Sequence, residues 1–309
     1  MTDCLDDNYV WEKDFKKLNK QHIMIPSLHM IARATLNRAS DPLSEHYHRN
    51  RLEFVIVING HQQYSVNGHT YHLFGQDVFT TFPNEPHGNN NSHQAVCEFI
   101  WFQIDMTRCS NFLGLAPPLS DLLYEKLSNY KKRTHKVDSS ELLLLMQSFD
   151  CFCSKDPAWK LLGHSLFLSF LTRLTLTENI SQDISSDIQR AIDYIQENIT
   201  EFINFSTISE VCNLSVSRLK TKFKEQMGIT PREYINSQKV EYAKNMLMDE
   251  NCSITDIAFD LNFSSSNYFS SVFKQFTGFT PSQYRDLVSH GSDDTGSGTN
   301  LLPRQPGCL

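Results

Sequence analysis

The rhythm of apolar and polar positions changes twice along this chain. From about residue 28 to 105 the pattern is short and strand-like. Residues 52–59 (LEFVIVIN) are mostly β-branched and apolar, and shorter runs of the same kind follow at 62–66, 70–74, 77–82 and 95–104. Asn59-Gly60 and Asn67-Gly68 fall between runs. Asn-Gly favours a tight hairpin because both residues accept positive φ. Many short strands at close spacing predict a sandwich or barrel. The texture then turns helical, with helices expected over 121–130, 140–154 and 158–176, the last two offering apolar surfaces to each other. A polar stretch at 177–186 reads as a linker. Residues 187–288 are helical again, and the Gly/Ser/Asp-rich stretch 289–309 reads as a disordered tail.

The second helical region repeats itself. Ile208-Ser209 precedes Cys212-Asn213-Leu214-Ser215, and Ile257-Ala258 precedes Leu261-Asn262-Phe263-Ser264. Past one extra residue the copies align at a spacing of 50: Leu219 with Phe269, Phe223 with Phe273, Lys224 with Lys274, and Gly228, Pro231 and Tyr234 with Gly278, Pro281 and Tyr284. Each copy has the parts of a helix-turn-helix. A short helix ends at Cys212 or Leu261, and Asn213 or Asn262 reverses the chain in a left-handed conformation. Ser215 or Ser264 is expected to cap the next helix. That helix buries one stripe, Val216, Leu219 and Phe223 in the first copy and Phe269, Val272, Phe273 and Phe276 in the second. The other face is left to read DNA: Ser217, Arg218, Lys220, Thr221 and Lys224, then Ser266, Asn267, Tyr268, Ser270, Ser271 and Lys274. Arg and Lys donate to guanine, Asn pairs with adenine, and hydroxyls serve base or phosphate. Between the copies, 231–247 reads as one helix begun by Pro231. At 1.5 Å per residue it spans about 25 Å, a rod suited to holding two recognition helices about one DNA turn, roughly 34 Å, apart.

Composition narrows the choice further. The 309 residues suffice for two or three domains, and 40% hydrophobic residues allow a packed core. A net charge of -7 excludes a protein that coats nucleic acid through its overall charge, so DNA contact must rest on a local patch. The run Arg218, Lys220, Lys222 and Lys224 supplies one. Residues 187–288 otherwise hold thirteen Asp/Glu against ten Lys/Arg, which weakens non-specific affinity. Eight cysteines without a CxxC pair read as reduced core thiols. With no secretory leader and no membrane-length apolar run, the expectation is a cytoplasmic protein without membrane contact.

Residues 267–285 (NYFSSVFKQFTGFTPSQYR) resemble the signature of the AraC family, and 187–288 are similar to that family's DNA-binding domain. The resemblance implies base contacts at Ser217, Arg218, Lys220 and Thr221, and at Ser266, Asn267, Tyr268 and Ser271, with Lys224 and Lys274 extending the DNA-binding set. The turn glycine common in the family is Asn at 213 and 262. Nine of the twelve histidines lie between His22 and His93. His46-Tyr47-His48, Glu53 and Gly60 resemble the first cupin motif. Gly75, Pro83, His87 and Asn91 resemble the second, with its internal glycine replaced near Glu85 and one residue fewer. In metal-binding cupins the equivalent positions hold a metal, which here would be a divalent ion on His46, His48, Glu53 and His87, a set that suits Fe, Mn, Ni or Zn. In regulatory versions such residues line a metal-free polar pocket, and both readings stay open. The effector-binding set is then His46, His48, Glu53, Tyr64, His87 and Trp101, with Tyr71, Phe82 and Phe102 as further aromatic candidates. The family makes a sugar or related polyol the expected effector.

The expected architecture is multidomain: an N-terminal arm (1–27), an all-β cupin-like effector-sensing barrel (28–110), a helical region that dimerises or packs on the barrel (111–176), the linker (177–186), an all-α double helix-turn-helix domain (187–288) and the tail (289–309). The expected function is a transcription regulator, an activator, rather than an enzyme. It binds double-stranded promoter or operator DNA and a small-molecule effector, forms a homodimer, and meets RNA polymerase by family resemblance. The competing readings are a metal-dependent cupin enzyme with an accessory helical module, and a DNA-binding protein whose ligand-free barrel only dimerises.

Overall fold

The computed structural model describes residues 2–3, 8–37, 39–90, 92–176, 184–249 and 252–290. The expected linker residues 177–183, the expected tail from 291, Asn91, Cys4 and Cys308 lie outside these. Eleven strands are found among the described residues: β1 (Thr2–Asp3), β2 (Val10–Trp11), β3 (Phe15–Asn19), β4 (Leu28–Leu36), β5 (His46–Tyr47), β6 (Arg51–Val66), β7 (His69–Phe74), β8 (Asp77–Thr81), β9 (His87–Gly88), β10 (Cys97–Asp105) and β11 (Thr134–Lys136). They run in the order β1-β5-β9-β6-β10-β4-β3-β2, with β7 and β8 also on β6 and β11 on β8. The sheet therefore reaches beyond the expected limits 28–110. β3, inside the expected arm, pairs with β4, and β11, inside the expected helical region, pairs with β8.

β6 organises the domain. Its first half pairs with β10 and β8, its second half with β7 and β9. The expected turn at Asn59-Gly60 is not a turn: the strand continues through it and bends. The register against β10 slips between Glu98 and Phe99, and Gly60 takes φ +85° with an ideal Cβ only 2.6 Å from the Val96 carbonyl. The extra residue of this β-bulge is Ile58, two positions before Gly60, and a bulge bends a strand without ending it. Asn67-Gly68 does make the hairpin to β7, at φ 50° and 78°.

Alternate residues of β6 and β10 serve two apolar clusters. Val55, Val57, Phe99 and Trp101 belong to the barrel interior with Tyr64, Tyr71 and Phe79. Phe54, Ile56, Ile100, Phe102 and Ile104 face the other way. There they meet α2 (Leu119–Ser128), α3 (Ser139–Phe152) and α4 (Pro157–Leu176). Phe102 thus packs edge-on to Phe167 at 5.1 Å and has no place in an interior pocket. Asp138 and Glu141 form a capping box that starts α3. No described helix is long and apolar enough to cross a membrane. The six described cysteines are free thiols.

The second domain comprises α5 (Ser186–Glu197), α6 (Phe205–Cys212), α7 (Val216–Met227), α8 (Pro231–Met246), α9 (Ile254–Asp260), α10 (Ser266–Thr277) and α11 (Pro281–His290); the four-residue α1 (Lys20–Ile23) belongs to the first. Two apolar clusters stabilise it. α8 gives Tyr234 and Ile235 to the first and Val240 and Ala243 to the second. Phe74, at the end of β7, packs against the first cluster.

Two outcomes follow. Gly60→Ala costs about 3 kcal/mol, from a left-handed side chain plus the Val96 contact. Gly68→Ala, with open space around its Cβ, costs about 1 kcal/mol. Urea midpoints compare the two, and equal losses would refute the Gly60 contact. The second outcome concerns pH. Burial, then the charge of Lys132, pushes the His135 imidazole down to about 4. In the unfolded chain it takes a proton near its ordinary value of about 6.5. As pH falls from 6.5 towards 4, the unfolded state binds a proton that the fold refuses. Stability therefore falls by up to about 1.4 kcal/mol per pH unit. His135→Gln flattens this slope in urea titrations across that window.

Candidate functional site

The two helix-turn-helix units are built as their repeat implies, with one shift. Asn213 adopts φ 54°, and Ser215 accepts from the Arg218 N–H at 3.2 Å to start α7. Asn262 adopts φ 52°. The cap of α10, however, is Ser265 and not Ser264: Ser265 Oγ accepts from the Tyr268 N–H at 3.1 Å, and Ser264 is exposed. Counting from the caps, Asn267, Tyr268, Ser270 and Ser271 stand where Ser217, Arg218, Lys220 and Thr221 stand on α7. Ser266 takes the place of Val216.

On α7, Ser217, Arg218, Lys220, Thr221 and Lys224 are all exposed along one face, as are Asn267, Ser271 and Lys274 on α10. Ser266, Tyr268 and Ser270 are half-buried. Tyr268 leans on Phe263 with its hydroxyl 3.5 Å from Arg232 Nη2. Lys220 Nζ lies 5.1 Å over the Phe205 ring. Lys222 leaves the basic run: its Nζ sits 2.6 Å from Asp187 Oδ2 on α5. The Lys222 hydrogen bond, then that of Ser185, holds the Asp187 carboxyl down to about 2. The patch is therefore Arg218, Lys220 and Lys224. α8, sixteen residues long, spans about 24 Å between the units.

Several residues that hold these units in place carry no local sequence signal. Arg190 donates to the Val211 and Cys212 carbonyls at the end of α6. Lys239 of α8 donates to the Leu261 carbonyl at 2.5 Å, and burial lowers its pKa. Asn262 Nδ2 donates to the Thr200 carbonyl at 2.7 Å.

In the barrel, strand pairing sets His46 directly opposite His87. The ligand atoms of His46, His48 and His87 lie within 4.8 Å of one another. Glu53, 5% exposed, faces them: Oε1 is 3.3 Å from His48 Nε2, and Oε2 is 3.2 Å from His87 Nε2. Burial alone would raise the Glu53 pKa, but the charge and the hydrogen bond of His48 outweigh it and hold it well below the usual carboxylate range. Burial, then the neighbouring His87, lowers the His46 pKa. Gln103 and Thr81, absent from the expected set, complete the shell. Gln103 Nε2 donates to Glu53 Oε1 at 2.9 Å, and the Thr81 hydroxyl points to Oε2 at 3.4 Å. Arg51 fixes the Gln103 amide by donating to its Oε1.

Two of the imidazoles have defined tautomers. His46 Nδ1 donates to the Ser44 carbonyl at 2.8 Å and His87 Nδ1 to the Glu85 carbonyl at 3.0 Å. In their neutral forms each keeps its lone pair on Nε2. At His87 that lone pair meets a carboxylate oxygen, acceptor against acceptor, without hydrogen-bond geometry. Such backbone-tethered imidazoles are how proteins orient metal-ligating histidines. The donor set fits a divalent ion.

The structure does not bring the aromatic candidates to this cluster as a stacking platform. Tyr64 stacks on Phe79 at 4.8 Å, and Trp101 lies between Phe15 at 5.7 Å and Phe99 at 5.1 Å. Phe82 lies under the Arg133 guanidinium, 4.7 Å away.

Known proteins share both halves. The helix-turn-helix domain family matches residues 208–286 and the cupin domain family residues 37–103. The HTH-type transcriptional activator RhaS of Escherichia coli O139:H28 is 25% identical over 244 residues, 78% of this chain and 87% of RhaS. Among solved structures, ToxT from Vibrio cholerae O395 is 16% identical over 90% of this chain and 99% of its own, with a TM-score of 0.33. The DNA-binding domain of AdpA in complex with a target DNA is 20% identical over 36% of this chain and 100% of its own, also with a TM-score of 0.33. The chain thus carries a cupin domain ahead of a helix-turn-helix domain, and over 78% of its length it is similar to an HTH-type transcriptional activator.

Proposed function

We propose that this protein is a transcription activator that reads promoter DNA through α7 and α10 and receives its signal through the barrel. The observation that carries this reading is the twin geometry: two serine-capped helices on one rod, each with a polar face turned to solvent. The two faces differ in chemistry. Arg218, Lys220 and Lys224 make α7 the phosphate- and guanine-seeking helix. Asn267, Tyr268, Ser270, Ser271 and Lys274 suit α10 to adenine and to hydroxyl-mediated contacts. An enzyme with an accessory helical module leaves this duplicated design without a purpose. The name of the RhaS relatives supports activation, and activation implies contact with RNA polymerase.

For the barrel we favour a divalent metal on His46, His48, Glu53 and His87 over a metal-free pocket. The lone pair of His87 aimed at the Glu53 carboxylate favours it. When bound, the ion would neutralise Glu53 and offer coordination to an oxygen-bearing effector such as a sugar or polyol. Tyr64 and Trp101 shape the interior beside it. The apolar residues Trp159, Leu161, Leu162 and Leu176 of α4, exposed in the chain, are assigned to contact with a second copy.

Two measurements test these assignments. In fluorescence anisotropy with duplexes selected from a random pool, Arg218→Ala and Lys220→Ala weaken binding to all sequences and each reduce the salt slope by about 0.9. Lys222→Ala leaves that slope unchanged. Asn267→Ala costs about 1–3 kcal/mol at one base pair. A Lys220→Ala/Asn267→Ala double variant with unaltered affinity and base preference would sink the DNA assignment. For the barrel, elemental analysis of the purified full chain is expected to find about one divalent metal per chain. Glu53→Gln and His87→Ala lose it, and Tyr64→Phe keeps it. Wild-type protein that stays metal-free when offered Fe, Mn, Ni and Zn returns the cluster to a hydrogen-bonded pocket.

A further inference from the structure

Both turns use asparagine in the left-handed conformation, where glycine would serve the backbone equally well. The Asn213 side chain makes no hydrogen bond among the described residues. The Asn262 side chain does, donating to the Thr200 carbonyl at 2.7 Å. Thr200 lies in the turn between α5 and α6, so the bond runs from the second unit to the first.

Both ends of this bridge are stiff. On one side the Glu201 N–H closes onto the Asn198 carbonyl at 2.9 Å, while Ile199 and Ile203 pack into the first apolar cluster. On the other, the Asn262 N–H donates to the Phe259 carbonyl at 2.8 Å and the Phe263 N–H to the Ala258 carbonyl at 2.9 Å. Lys239 holds the intervening Leu261 carbonyl from the rod. Two units strung on one helix can pivot about its ends. A tie placed off the helix axis removes that freedom.

We propose that Asn262 is a positioning residue for DNA recognition: its bridge to Thr200 fixes the angle and separation of α7 and α10, and with them the half-site spacing the protein accepts. This rests on the DNA-reading assignment made above. The test uses the full chain and duplexes that the wild-type protein selects from a random pool. These are remade with one base pair added or removed between half-sites, and with the second half-site scrambled. Asn262→Gly keeps the left-handed turn and removes the bridge, and Asn213→Gly makes the same change in the twin turn.

Asn262→Gly is expected to lose about 3- to 10-fold in affinity for the intact duplex, the range set by one hydrogen bond. It also narrows the gap between native and altered spacing, while binding to the scrambled duplex stays within about twofold. Asn213→Gly changes neither. Asn262→Asp, similar in size but without a donor, behaves as Asn262→Gly does. An unchanged spacing preference in Asn262→Gly, equal losses in the two glycine variants, or wild-type behaviour of Asn262→Asp overturns the proposal. If the wild-type protein selects no sequence, the DNA-reading assignment fails instead, and amide exchange around residues 198–201 then decides the bridge. Faster exchange in Asn262→Gly than in Asn213→Gly supports it, and equal exchange overturns it.

Discussion

A carboxylate sits where water does not reach, and the barrel interior is arranged around it. Glu53 is 5% exposed on a strand shared by two apolar clusters. An ionised group in such a place costs several kcal/mol unless neighbours compensate. The Gln103 amide, the Thr81 hydroxyl and the His48 imidazole do so. The Arg51 guanidinium in turn holds the Gln103 amide, and the Glu85 carbonyl holds the His87 ring. One end of the barrel becomes a connected polar network spanning β5, β6, β8, β9 and β10. The other end is filled by stacked rings and branched aliphatics.

The DNA-binding domain solves a different problem, making one fold twice from largely different residues. Positions that the backbone constrains are kept alike: asparagine at the left-handed turn, serine at the cap, glycine at the end of each reading helix. Positions facing solvent diverge, three cations on α7 against one on α10. The apolar clusters remain separate, and α8 contributes one end to each. The two units share what folding requires and differ where they face solvent.

Most of this architecture was legible in the sequence, because local rules govern turns, caps and helix stripes. Where the sequence misled, a distant partner decided. Asn59-Gly60 and Asn67-Gly68 are the same dipeptide, yet only the second turns the chain. The first runs alongside β10, whose Val96 and Cys97 crowd Gly60. Three consecutive serines at 264–266 satisfy the capping rule equally, and extended backbone at Ser265 selects one. Lys222 reads as part of a basic face until α5 brings Asp187 to it. Motif spacing located His46, His48, Glu53 and His87. Gln103 and Thr81 join them through strand pairings some thirty to fifty residues away in sequence, which no local pattern encodes.

One consequence of the bent strand remains. β6 delivers Glu53 from its first half and, past Gly60, returns to lie against His87 through Val66. The donor cluster is thus clasped by the two arms of a single strand. The six residue-to-residue steps from Gly60 to Val66 make an arm of about 20 Å at roughly 3.3 Å per step, so a hinge change of only about 3° moves its tip by about 1 Å. That is several times the roughly 0.2 Å by which metal–ligand distances normally vary. A backbone angle outside the cluster itself therefore works as a fine adjustment on the distance between the acidic and basic members of the site.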